Sequence, residues 1–197
     1  MPARTRAQQC ANTRAALLHE SRRLFATRGY AAVGLAEIVR AAGVTKGALY
    51  HHFAGKLELF REVLAQVQQE VADSVARTAD AETDPWARLT AGCQAFLAAS
   101  TAPEIQRIML VDGPAVLGWT EWRAMDEAGS ARHLAEALTE LIEAGIIPPQ
   151  PVAPLTHLLS GAMNEAALWL ASSAVTPEDL TATQTALIRL LDGMRTD

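Results

Sequence analysis

The sequence predicts an all-α protein in two parts, three helices over residues 1–56, of which the last two are short, and a longer helical body over 57–197, about nine helices together. Three observations predict it. Apolar residues recur every three or four positions along almost the whole chain, and no stretch alternates as a strand would. Near the N-terminus, two short segments of this kind are separated by a turn built on Gly43. Charge is divided as well. Residues 1–60 hold nine Lys/Arg against three Asp/Glu, a balance of +6, which leaves −11 on the other 137 residues of a chain whose net charge is −5.

The elements follow in order. Residues 1–11 read as a flexible basic arm. Leu17, Leu18, Leu24 and Phe25 then share one helical face, and Gly29 ends that helix. A short helix covers Leu35 to Ala42, with Leu35, Ile38 and Val39 inward. Thr45 is placed to cap a third helix that runs to about Phe53. A long helix from Leu57 carries one stripe through Phe60, Leu64, Val67, Val71 and Val75. Further helices are expected over 85–100, over 103–111 with a stop at Asp112-Gly113-Pro114, and over 119–144 up to Gly145. Residues 146–154, IIPPQPVAP, read as a connector. Two last helices follow, over about 155–172 and 177–194, the second opened by Thr176-Pro177-Glu178-Asp179 and striped by Leu180, Leu187, Leu191 and Met194.

Composition removes several classes. Cys10 and Cys93 lie 83 residues apart with no CxxC, so neither a zinc site nor a disulfide framework is indicated. The basic N-terminus lacks the apolar run of a secretory signal, and no window reaches the roughly 18 apolar residues of a membrane span. A cytoplasmic protein without metal, cofactor or membrane is expected. GxSxG, HExxH, P-loop and dinucleotide signatures are missing, and His19, His133 and His157 are isolated along the chain, so no catalytic residue is nominated.

The stretch VTKGALYHHFAGKLELF, residues 44–60, holds both lysines of the chain, Lys46 and Lys56, around Tyr50, His51 and His52. Two short helices joined by a glycine turn fit a helix-turn-helix unit, whose second helix enters the DNA major groove by its N-terminal end. Thr45 and Lys46 can donate to phosphates or base edges, Gly47 and Ala48 let the backbone approach, and Tyr50 and His51 offer polar tips. Lys56 falls in the first turn of the next helix, where free N–H groups already favour a phosphate. Leu49 and Phe53 would anchor this helix from inside. Adjacent histidines diverge by about 100° on a helix, which disfavours His51-His52 as a metal pair.

With these residues in view, VGLAEIVRAAGVTKGALYHHFAGKLELF resembles the DNA-binding region of the tetracycline-repressor (TetR) family over about residues 12–60. The resemblance implies that Thr45, Lys46, Gly47, Tyr50, His51 and Lys56 meet DNA while Leu49 and Phe53 pack. Two positions depart from the pattern. Gly34 stands where Ser or Thr is common, and Leu57 where an acid is common. For the acidic body the resemblance implies a ligand-binding and dimerisation domain, with a homodimer formed by the last two helices.

The body's own residues support a partner helix. Met163 to Ala171 is apolar around its circumference, and Gly161, Ala162 and Ala166 leave one face small. A buried central helix in a monomer is the other reading. For a small, largely apolar effector the nominated contacts are Phe96, Gln106, Met109, Trp122, Met125, His133, Met163 and Asn164, although Met and Trp at helical spacing also serve as core. Cys93 reads as a small buried hydrophobe. The functional expectation is a dimeric, ligand-released repressor on a double-stranded DNA operator. A small helical enzyme and a ligand-free architectural DNA binder are the alternatives.

Overall fold

Helix α1 (Arg6–Arg28) stops at Gly29, whose φ of 80° only a residue without Cβ adopts easily. The computed structural model describes residues 6–171 and 176–196. Helices α2 (Leu35–Ala41) and α3 (Lys46–His52) follow, joined through Gly43 at φ 64°. The expected arm over 1–11 is therefore helical from Arg6 on, and residues 1–5 lie outside the described part. Helix α4 (Lys56–Asp80) links this module to the body, and α5 (Pro85–Ser100) packs along it. Among the described residues no strand occurs, and no helix is long and apolar enough to cross a membrane.

The expected stop at Asp112-Gly113-Pro114 does not occur. Helix α6 (Pro103–Gln106) widens into a π-helical turn over Arg107–Asp112 and continues as α7 (Gly113–Leu117). Pro114 has no N–H and crowds the carbonyl four residues back; the wide turn opens the backbone there, so the helix passes the proline instead of ending. Gly118, at φ 79°, supplies the actual stop. The helix expected over 119–144 is two helices, α8 (Trp119–Glu127) and α9 (Ser130–Glu143), broken at Ala128-Gly129. Ala72 of α4 comes within 3.7 Å of where a Gly129 Cβ would stand, so the break lets both helices lie against α4. Helix α10 (Val152–Leu170) starts inside the expected connector, and the end expected at Ser172 lies outside the described residues. The last helix, α11 (Pro177–Asp192), opens on Thr176, whose N–H donates to the Asp179 carboxylate at 2.7 Å.

One apolar core runs from Leu17 to Leu191 without interruption between the two parts. At the junction Phe25, Tyr30 and Phe60 form a ring cluster, with centroids 5.0–5.7 Å apart. The π-helical turn brackets the end of α1. Asp112 Oδ2 accepts the Tyr30 backbone N–H at 2.7 Å, and Arg107 Nη1 donates to the Thr27 carbonyl at 3.4 Å. On its inner side, Met109 O accepts the Trp122 indole N–H at 2.7 Å. Gly113 makes that fit possible, because a Cβ there would stand 2.8 Å from Trp122 Cδ1. Gly113→Ala is therefore expected to lower stability by about 1–3 kcal/mol, since the indole is pinned and cannot retreat. Urea unfolding of the variant checks this, and an unchanged midpoint would show that the indole can move aside.

Candidate nucleic-acid interface and ligand cleft

The third helix is built as expected. Thr45 Oγ1 accepts the Ala48 N–H at 3.1 Å, and Leu49 and Phe53 are buried. That fixes the opposite face outward. Thr45, Lys46, Gly47, Tyr50 and His51 are exposed, and Ala48 is half-buried beside them. Lys46 Nζ lies 5.8 Å from the Tyr50 ring centroid. Lys56 is half-buried, with Nζ 4.0 Å over the Tyr30 ring. Burial lowers the Lys56 pKa, and the nearby Asp112 carboxylate opposes that shift.

Both departures from the family pattern have structural counterparts. Gly34 stands at the start of α2 with no side-chain cap and open space where a hydroxyl-bearing side chain would fit. At the start of α4, Leu57 is exposed, and the carboxylate of Glu58 accepts the Ala54 N–H in place of an acid at position 57. The histidine pair stacks edge-on at 5.2 Å, and among the described residues no group of His, Cys, Asp and Glu could hold a metal ion.

Ion pairing sorts the basic residues. Arg14 pairs with Glu62 at 2.7 Å, Arg22 with Glu70 at 2.5 Å, Arg23 with Glu20 at 2.8 Å, and Arg28 with Glu37. The pairs of Arg14, Arg22 and Arg28 tie α1 to α4 and α2, and that of Arg23 lies within α1. Among the described residues, Arg40 and Lys46 make no ion pair, and both are exposed. The unpaired positive charge of the module thus includes Arg40 on α2 and Lys46 on α3, together with the exposed Arg6 at the start of α1 and the half-buried Lys56, and a phosphate backbone can take it up. Arg40 was not singled out from the sequence. The pairing of Arg14, Arg22, Arg23 and Arg28 sets it apart from them, and that pairing spans up to 48 positions.

In the body, a cleft of about 310 Å³ opens between α4, α5, α9 and α10. Its walls include Val75, Leu89, Phe96, Leu134 and Met163, and its mouth bears Asp80, Arg88, Glu136 and Glu140. Of the nominated ligand contacts, Phe96, His133 and Met163 line it. The others are engaged elsewhere. Gln106 donates to the Ala167 carbonyl at 3.1 Å, joining α6 to α10. Trp122 and Met109 are bonded to each other in the core, and Met125 is half-buried against that core. Asn164 is buried beside the Asp126 carboxylate, although its Nδ2 reaches no hydrogen-bond partner. The tertiary packing gave Gln106, Met109, Trp122 and Met125 structural partners that helical spacing could not reveal.

Cys93 and Ser160 also line the cleft. Burial pushes the Cys93 thiol up to about 12, so at neutral pH it behaves as a small apolar wall group. Ser160 Oγ donates to Asp126 Oδ2 at 3.2 Å and accepts from Arg123 Nη1 at 2.9 Å. Arg123 also pairs with Asp126 at 2.8 Å. Burial raises the Asp126 pKa, opposed first by the Arg123 charge.

Two family models match the chain. "Bacterial regulatory proteins, tetR family" covers residues 17–63, and "Tetracyclin repressor-like, C-terminal domain" covers residues 86–194. The crystal structure of a TetR-family transcriptional regulator from Pectobacterium atrosepticum superposes with a TM-score of 0.78 at 34% identity, over 98% of this chain and 99% of that one. The HTH-type transcriptional activator FasR of Mycolicibacterium smegmatis is 40% identical over 83 residues, which are 42% of this chain and 38% of FasR. The Transposon Tn10 TetC protein of Escherichia coli is 27% identical over 150 residues, 76% of each chain. The matched part spans under half the length of the first curated relatives. Both the DNA-binding module and the body thus match models of one family of DNA-binding regulators rather than enzymes, and the chain belongs to the TetR family of bacterial transcriptional regulators.

Proposed function

We propose that the chain is a cytoplasmic, dimeric repressor that holds a pseudo-palindromic operator through α3 and lets go when a small, largely apolar molecule fills the body cleft. The sorting of charge carries this reading: four arginines of the module are ion-paired, while Lys46 is unpaired and exposed on α3 with Thr45, Gly47, Tyr50 and His51, and Arg40 is unpaired and exposed on the preceding helix. Helix α4 supports the release. It begins at Lys56 and contributes Val75, Ala79 and Asp80 to the cleft, so one rigid element reaches from the DNA side to the ligand side. A ligand must favour the DNA-incompetent arrangement to shift the balance, and displacement of the far end of α4 is the movement that does so.

Footprinting on the DNA beside the chain's own gene tests the proposal. Protection of two half-sites about 34–36 Å apart is expected. Lys56→Ala should weaken binding to all sequences alike and lower the magnitude of the salt slope by about 1, because one phosphate partner is lost. An unchanged slope would remove Lys56 from the interface. A reporter gene driven from the footprinted promoter should rise when the protein is deleted; a fall would make it an activator.

A further inference from the structure

The mouth of the cleft has an uneven charge balance. Asp80, Glu136 and Glu140 stand against Arg88 alone among the Lys and Arg side chains that line it. That one cation is already engaged, with Arg88 3.5 Å from Asp80 and 3.3 Å from Glu140. His133 Nδ1 lies 3.5 Å from Glu136. Behind the wall, Arg123 is held by Asp126 and Ser160. Glu136 is itself paired with Arg132 at 2.9 Å, just outside the lining, so two arginines answer three carboxylates. A carboxylate ligand would therefore meet no unpaired cation, whereas a positive group would meet carboxylates left one positive charge short. The surroundings reinforce this, since the −11 of residues 61–197 lies on the same side of the molecule's charge division. Low-dielectric walls such as Val75, Leu89, Phe96 and Met163 focus that field toward the opening.

Resting on the reading of this cleft as the effector site, we infer that the effector is a small organic cation, an amine protonated at neutral pH with a compact apolar body. The body fills the space between Phe96, Leu134 and Met163, and the ammonium stays at the wet mouth near Glu136 and Glu140. Leaving the charge at the mouth avoids the desolvation that a buried ammonium would suffer. A volume of about 310 Å³ is at the small end of ligand pockets, which suits one ring and a short chain.

Three probes of matched shape separate charge from fit: 4-phenylbutylamine, 4-phenylbutanol and 4-phenylbutyrate, titrated calorimetrically into the full chain at low salt. The amine should bind about fivefold tighter than the alcohol, as two solvent-screened carboxylates allow, and the acid should bind weakest. In the surface variant Glu136→Gln/Glu140→Gln, the amine should fall to the level of the alcohol while the alcohol is unchanged. Equal or tighter binding of the alcohol or the acid to the wild type would overturn the cation inference and leave the cleft as the effector site. An amine preference that survives in the double variant would also overturn it. No binding by any of the three would overturn the reading of the cleft itself.

Discussion

Trp122→Ala is expected to cost about 3–5 kcal/mol of folding stability, the range for removing a buried tryptophan. The indole is only 3% exposed, stacks on Trp119 with centroids 5.0 Å apart, and covers Gly113, where no side chain could stand. Its loss would also leave the Met109 carbonyl without its 2.7 Å donor. Trp122→Phe keeps most of the ring and removes only the donor, so about 1–3 kcal/mol is expected there. The ordering Ala worse than Phe, read by urea unfolding, separates packing from hydrogen bonding. A Trp122→Ala variant within about 1 kcal/mol of wild type would show that the π-helical turn is held by something else. The consequence reaches the DNA side, because Asp112 and Arg107 of the same turn hold Tyr30 and Thr27 at the end of α1. Operator affinity should therefore fall together with stability, which a ligand-pocket residue would not cause.

This result bears on what the sequence could reveal. Local chemistry was legible: the Gly43 turn, the Thr45 cap, the inward Leu49 and Phe53, and helix α5 from Pro85 to Ser100 depend on neighbours a few positions away. The cleft was legible only in part. Phe96, His133 and Met163 fell in it, but Gln106, Met109, Trp122 and Asn164 look the same in sequence whether they meet a ligand or another helix. Arg88 and Glu140, 52 positions apart, form the mouth only because α5 and α9 pack together. The helix through Pro114 was hidden for a related reason. Punctuation rules end a helix at Gly-Pro, and the widened turn that avoids this is a feature of backbone register rather than of residue type. Charge pairing shows the same limit, for composition gave the balance of +6 over residues 1–60, while finding Arg40 and Lys46 among the unpaired cations needed the fold.

Trp169→Glu is expected to yield monomers and to reduce operator binding to the level of non-specific DNA, a loss of at least about 10³-fold. Helix α10 has two faces at 100° per residue. Thr156, Ser160, Met163, Asn164 and Ala167 point inward and are buried, while Leu158, Gly161, Ala162, Glu165 and Trp169 form the opposite stripe. On that stripe Leu158 is 72% exposed and Trp169 51%, with only small residues or Glu165 between them. A Cβ added at Gly161 would meet nothing within 4 Å, so a second helix has room there. The outward stripe of α11 is smaller still, Thr181, Ala182, Thr185 and Ala186, ending at the exposed Leu190. Large apolar side chains on one helix and a shallow, small-residue face on the next are what two copies need to interlock about a two-fold axis. A glutamate at 169 would meet its own symmetry mate or an apolar neighbour, and either is unfavourable. Because Trp169 is exposed within one chain, the substitution should leave helical content unchanged by circular dichroism. Sedimentation should then give twice the chain mass for the wild type and one chain mass for the variant. A variant that stays dimeric and binds operator normally would place the two-fold axis away from α10. A folded monomer that no longer holds the two half-sites together would tie operator affinity to this face, since each α3 alone reads only half of the site.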